Sequence, residues 1–149
     1  MTDKDFRRIV LALEGAVEGA HMGHADFRAH GRIFATLRRT SSADMATSAP
    51  PLFGVVMLTP QQQQQFLATS RAFTPESGAW GRAGCTRVCL EEVNDETLGE
   101  AVTLAWQNAA AKAAAKKKTG TKRKSPIRKA EAGTTKRLSV AAKKKVVRR

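Results

Sequence analysis

The first apolar positions of the chain follow a helical period. Phe6, Ile9, Val10, Leu13 and Val17 recur three and four residues apart, which predicts an amphipathic helix capped by Thr2 or Asp3, with Asp3 and Asp5 at the positive end of its dipole. Gly15 and Gly19 weaken its end. The period then changes to two. Residues 26–28 (DFR) and 32–37 (RIFATL) flank His30-Gly31, a pattern that predicts two strands joined by a tight turn, with glycine where a positive φ is needed. Alternation sends Phe27, Ile33, Ala35 and Leu37 to the covered face and Asp26, Arg28, Arg32 and Thr36 outward.

Residues 40–51 (TSSADMATSAPP) are small, polar and proline-ended, so a flexible connection, a mobile tip, is expected there. The continuous apolar run 52–58 (LFGVVML) predicts an inner strand. Thr59, Pro60 and Gln62 supply the cap, first-turn proline and capping-box partner of a second helix, and the glutamines of 61–65 read as its solvated face. Residues 71–84 (RAFTPESGAWGRAG) are loop-rich yet hold Phe73 and Trp80. Either these aromatics close one end of the core, or Trp80 and Arg82 present a stacking face and a guanidinium to nucleic acid or another anion. Residues 86–90 predict a strand, and Asn94 or Asp95 caps a last helix with Leu98, Val102, Ala105, Trp106 and Ala109 as its stripe. Beyond Ala109 alanine can extend that helix, but no stripe remains to bury.

These elements imply an α+β domain over 1–111, an antiparallel sheet flanked by helices. The charge then divides the chain. Of 26 Lys and Arg against 13 Asp and Glu, residues 1–111 hold 10 basic and 12 acidic side chains, while 112–149 hold 16 basic ones and Glu131 alone. The second segment has no aromatics and few large apolar side chains, so it is expected to be disordered in isolation. Its cations, Lys116, Lys117, Lys118, Lys122, Arg123, Lys124, Arg128, Lys129, Lys136, Arg137, Lys143, Lys144, Lys145, Arg148 and Arg149, are suited to a polyanion, whose counterions they would release. DNA is the first candidate partner and RNA the second. A solubilising appendage, an import signal and an anionic membrane are the alternatives, the last disfavoured because bulky apolar anchors are lacking. Within the near-neutral domain, Arg28, Arg32, Arg38, Arg39, Arg82 and Arg87, with Trp80, are the candidate phosphate and base contacts. Ordinary surface pairing, such as Arg28 or Arg32 with Asp26, competes with that role.

Other chemistry is thinly represented. Cys85 and Cys89 on one strand would stand about 13 Å apart, too far for a disulfide. His21, His24 and His30 have no Cys partner or H-E-x-x-H context, so no metal or other cofactor is expected, with His24 orienting a turn by hydrogen bonding and the others solvated. No P-loop or nucleophile elbow is present, and no enzyme is expected. Without an apolar N-terminal segment or a run of about 20 apolar residues, a cytoplasmic, reducing setting is expected, near a bacterial nucleoid if DNA is the partner.

Residues 23–37 (GHADFRAHGRIFATL) resemble the GHPDFR and G-[KR]-IFATL signature of the MmcQ/YjbR family. Residues 72–75 (AFTP), 78–84 (GAWGRAG) and 86–88 (TRV) are similar to its second signature, in the same order. The resemblance covers roughly residues 5–110. It implies a compact frataxin-like α+β domain, described as a DNA-binding double wing, without established catalytic activity. Cys85 stands where the family commonly has Trp, so that aromatic's role is not carried over. Acidic helix ridges of the frataxin type are not evident, which argues against an iron role. The Ala-Lys repeats and residues 125–129 (SPIRK) resemble tails of linker histones and histone-like bacterial proteins.

Overall fold

In the computed structural model, residues 1–40 and 51–120 are described. Helix α1, Asp3–Leu11, begins on a capping box in which the Thr2 hydroxyl accepts from the Asp5 amide while Asp5 accepts from the Thr2 amide. It stops earlier than the apolar period suggests, because Gly15 turns the chain at φ +70. Val17 therefore lies in strand β1, Val17–His21, and is 58% exposed instead of joining the helical stripe. Strands β2, His24–Ala29, and β3, Arg32–Arg39, follow.

Two tight turns join β1, β2 and β3. Met22 and Gly23 have φ +51 and +78, and His30 and Gly31 have φ +55 and +73. Positive φ at both central positions matches the right-handed strand twist. The first turn is closed by the facing pair His21 and His24; the His24 side chain makes no hydrogen bond among the described residues, contrary to the role expected of it.

Strand β4, Leu52–Met57, helix α2, Pro60–Thr69, strand β5, Phe73–Pro75, helix α3, Gly78–Arg82, strand β6, Cys85–Cys89, and helix α4, Asp95–Gly120, complete the fold. The six strands pair antiparallel in the order β1-β2-β3-β4-β6-β5. Thr59 and Gln62 form the capping box of α2, and the Asn94 side chain accepts from the Thr97 amide at the start of α4. Residues 71–84, expected as loop, contain β5 and α3, both too short to leave a periodic signal.

Register separates the two sheet faces. One row runs Ala25, Leu37, Gly54, Val88, Phe73, and this side packs on α1, α2 and α4. The Phe6 ring lies over Gly54, where a Cβ would come within 2.5 Å of it. The intervening row, Gly19, Asp26, Thr36, Val55, Arg87 and Thr74, crosses all six strands on the opposite side. A bulge between Phe27 and Arg28 leaves Phe34 as the extra residue of β3. It shifts the phase of alternation: Phe34 is fully buried in the core, whereas Ile33, expected inward, lines a cavity.

Helix α4 also runs further than the expected boundary at 111. Residues 112–120 are helical, not disordered, since alanine-rich sequence continues the ladder without needing a buried face. Residues 41–50, within the connection expected to be flexible, and 121–149 lie outside the described residues. None of the described helices is long and apolar enough to cross a membrane.

Candidate functional site

A cavity of about 970 Å³ opens along the outer sheet face and runs over the strand ends to α4. Strand alternation brings Asp26, Thr36, Arg38 and Val55 to it. Arg32, the first residue of β3, also lines it, and the chain after β5 contributes Glu76 and Trp80. Helix α4 adds Asn108 and Lys112, four apart and therefore on one helical face. Asn108 Nδ2 donates to the Met57 carbonyl at 3.2 Å and to Gln62 Oε1 at 2.8 Å, which fixes this part of α4 against β4 and α2.

The acidic groups here are neutralised from within the chain. Arg28 grips Asp26 with two parallel bonds, Nε to Oδ1 at 2.9 Å and Nη2 to Oδ2 at 2.8 Å. Asp26 was expected outward in solvent; it does face away from the helices but is 1% exposed, covered by its neighbours. Its hydrogen bonds from Arg28 hold the carboxyl below the usual range despite desolvation, and the same pairing raises Arg28. Arg87 Nη2 binds Glu76 Oε1 at 3.1 Å, and its guanidinium lies 4.2 Å from the Phe53 ring centre. Two of the arginines expected to meet phosphate are thus each held by a carboxylate.

The others stand differently. Arg32, Arg38, Arg39, Arg82 and Lys112 make no ion pair among the described residues. Arg32, Arg38 and Lys112 share the cavity with Trp80, which is 70% exposed. The alternative of Trp80 as a core plug is therefore overturned. Phe73 takes that role by itself, buried against Phe66 with ring centres 4.8 Å apart. Arg39 sits with Arg38 in a smaller recess of about 350 Å³ near Asp3 and Arg7, and Arg82 is exposed at the end of α3, outside the large cavity. Lys112 was not singled out as a site residue; the spacing from Ala105 through Asn108 to Lys112 is its only trace in the sequence.

Several buried polar atoms here have no partner among the described residues: Thr36 Oγ1, Arg38 Nε, Glu76 Oε2 and Arg87 Nε. Thr36 is 8% exposed and sits in the middle of the outer row. Cys85 is buried, its sulfur 3.2 Å from that of Met57. Burial and then Glu76 raise its thiol, with Lys112 and Arg38 opposing, so it is a poor nucleophile. Cys85 and Cys89 are both free, and no group of three His, Cys, Asp or Glu suited to a metal occurs among the described residues. His30 is exposed, as expected, and one side of its ring lies against Trp106 with ring centres 5.6 Å apart; the Trp106 indole donates to the Glu14 carbonyl at 2.9 Å.

Lys116, Lys117 and Lys118 lie on the exposed final turns of α4. Lys122, Arg123, Lys124, Arg128, Lys129, Lys136, Arg137, Lys143, Lys144, Lys145, Arg148 and Arg149 fall outside the described residues.

A family model described as YjbR matches residues 11–108. Among solved structures, a crystal structure of a protein from Pseudomonas syringae, a Northeast Structural Genomics Consortium target, is similar at TM-score 0.58 and 11% identity, over 73% of this chain and 99% of that one. At that identity the likeness speaks for the fold alone. No curated protein matches this sequence.

Proposed function

The chain belongs to the YjbR family, and on that footing we propose that it is a non-enzymatic nucleic-acid-binding protein acting on DNA, in the cytoplasm at the nucleoid. The observation that carries this reading is the continuity of α4. One helix passes from the core residues Leu98 to Ala109 out to Lys116, Lys117 and Lys118. It leads directly into a segment in which 16 cations face one carboxylate from residue 112 onward. Such a segment binds phosphate by releasing counterions, without regard to sequence. The domain, with two more acidic than basic groups over residues 1–111, has no general attraction to phosphate and would supply shape or partner recognition.

Fluorescence anisotropy across a salt series tests this, with duplex DNA, single strands and RNA of equal length. If six to ten cations reach phosphates, affinity falls by about 10³ to 10⁵ between about 50 and 200 mM salt. A chain ending at Gly120 loses most of that slope, and Lys116, Lys117 and Lys118 changed together to Gln reduce it further. Absence of duplex binding at low salt, or binding indifferent to salt, ends the reading; preference for RNA moves the partner and leaves the mechanism.

A further inference from the structure

We propose that the cavity on the outer sheet face binds a small anion with a flat aromatic body, of the class of a nucleoside monophosphate or an aryl carboxylate. The inference stands on side chains of the folded elements, Lys112 of α4 included, and does not depend on what the residues beyond Gly120 bind.

Size comes first. A cavity of about 970 Å³ lies at the upper end of the range that holds small ligands. Its floor is apolar, with Val55 and Cys85 buried and Met57 beside them. A wholly polar ligand, such as inorganic phosphate, would leave that floor uncovered.

Charge comes second. Asp26 is paired with Arg28 and Glu76 with Arg87 through Oε1, so each carboxylate lining the cavity has its charge balanced within the chain, although Glu76 Oε2 is buried without a hydrogen-bond partner. Arg32, Arg38 and Lys112 come from different places along the chain, converge on the same space and have no carboxylate partner among the described residues. The excess is cationic, and Arg38 offers a planar fork that suits either a phosphate or a carboxylate.

Unmet hydrogen bonding comes third. The Thr36 hydroxyl is buried at the centre of the row and has no partner, and Arg38 Nε is likewise buried and unmatched. A buried donor or acceptor without a partner is disfavoured, and a ligand oxygen would relieve both. Trp80 completes the site. An indole this exposed contributes nothing to the core, but at the rim of a cationic cavity it offers a face to a flat ring.

The test uses the full-length protein. Adenosine 5′-monophosphate and 2-naphthoate are titrated by calorimetry, with adenosine and inorganic phosphate as the two halves of the first. Indole N–H resonances are followed in parallel, Trp80 as reporter and Trp106, held by the Glu14 carbonyl, as internal control. Expected is one saturable site per chain for at least one anion, a shift confined to the Trp80 indole, and affinity at least about tenfold lower for either half-ligand. The preferred anion tells phosphate from carboxylate. Arg38→Ala and Trp80→Ala each weaken binding by about tenfold, Thr36→Val weakens it to a smaller degree, and Arg82→Ala leaves it unchanged. Should Thr36→Val not fold, Trp80→Ala, at an exposed position, still decides. No saturable binding of either anion overturns the proposal. So does binding that survives Arg38→Ala and Trp80→Ala intact, since the anion would then sit on the basic segment.

Discussion

At the scale of single residues, the pair Asp26 and Arg28 shows how burial turns a surface arginine into a structural one. Arg28 is half exposed, so its charge is screened, but the carboxylate beneath it is not. Arg28→Met leaves a buried acceptor unmatched and is expected to lower the urea denaturation midpoint. The sign of the acid response follows from the lowered Asp26 pKa. A depressed carboxyl contributes stability that is present above its unfolded pKa and lost as pH falls through the folded one. The native protein should therefore hold this contribution at neutral pH and lose it below about pH 4. In Arg28→Met, desolvation without the arginine raises the carboxyl, so the variant protonates at higher pH than the native chain, as carboxyl chemical shifts would report.

Glycine at position 84 illustrates a different local constraint. Its φ is +106, and a Cβ there would run into the Leu58 carbonyl oxygen. Gly84→Ala combines a disfavoured backbone with a backbone clash and should destabilise by about 3 kcal/mol, read from the denaturation midpoint. Asp26 was legible as a partner for a nearby arginine. Its burial was not, because it depends on strand pairing that sets Gly19 and Thr36 on either side of it.

Among the elements, legibility tracked length and local chemistry. The Thr59-Pro60-Gln62 cap and the stripe of α4 were readable since both depend on residues a few positions apart. The bulge opposite Phe27 and Arg28 was not readable: alternation predicts faces only while the register is unbroken, and one inserted residue exchanges Ile33 and Phe34. Strand β1 hid behind glycines and histidines that suit a turn as well as an edge strand. In α2, Gln62 Oε1 accepts from both the Thr59 amide and Asn108 Nδ2. Thr59→Ala should lower stability by about 1 kcal/mol in a thermal melt through loss of the cap. Gln62→Ala should cost more than that, as it loosens α4 as well.

For the molecule as a whole, the division between a near-neutral domain and a cationic extension was plain from charge alone, and the α+β architecture from the order of periods. The cavity was not visible in the sequence. Its cations come from the two ends of β3 and from α4, and only the three-dimensional fold brings Lys112 to the strand. The strand order carries one more consequence, in time instead of space. From β1 to β3 each strand pairs with its successor across a two-residue turn, and β3 pairs with β4 across residues 40–51, while α4 reaches back across the sheet from far along the chain. Local pairings form at lower entropic cost and should be in place at the folding barrier, with α4 docking after it. Leu98→Ala, at a fully buried position, is then expected to cost about 2–5 kcal/mol and to appear in stopped-flow chevrons mainly as faster unfolding. Phe27→Leu, inside the early meander, should mainly slow folding, and the reverse pattern would mean that α4 guides the sheet.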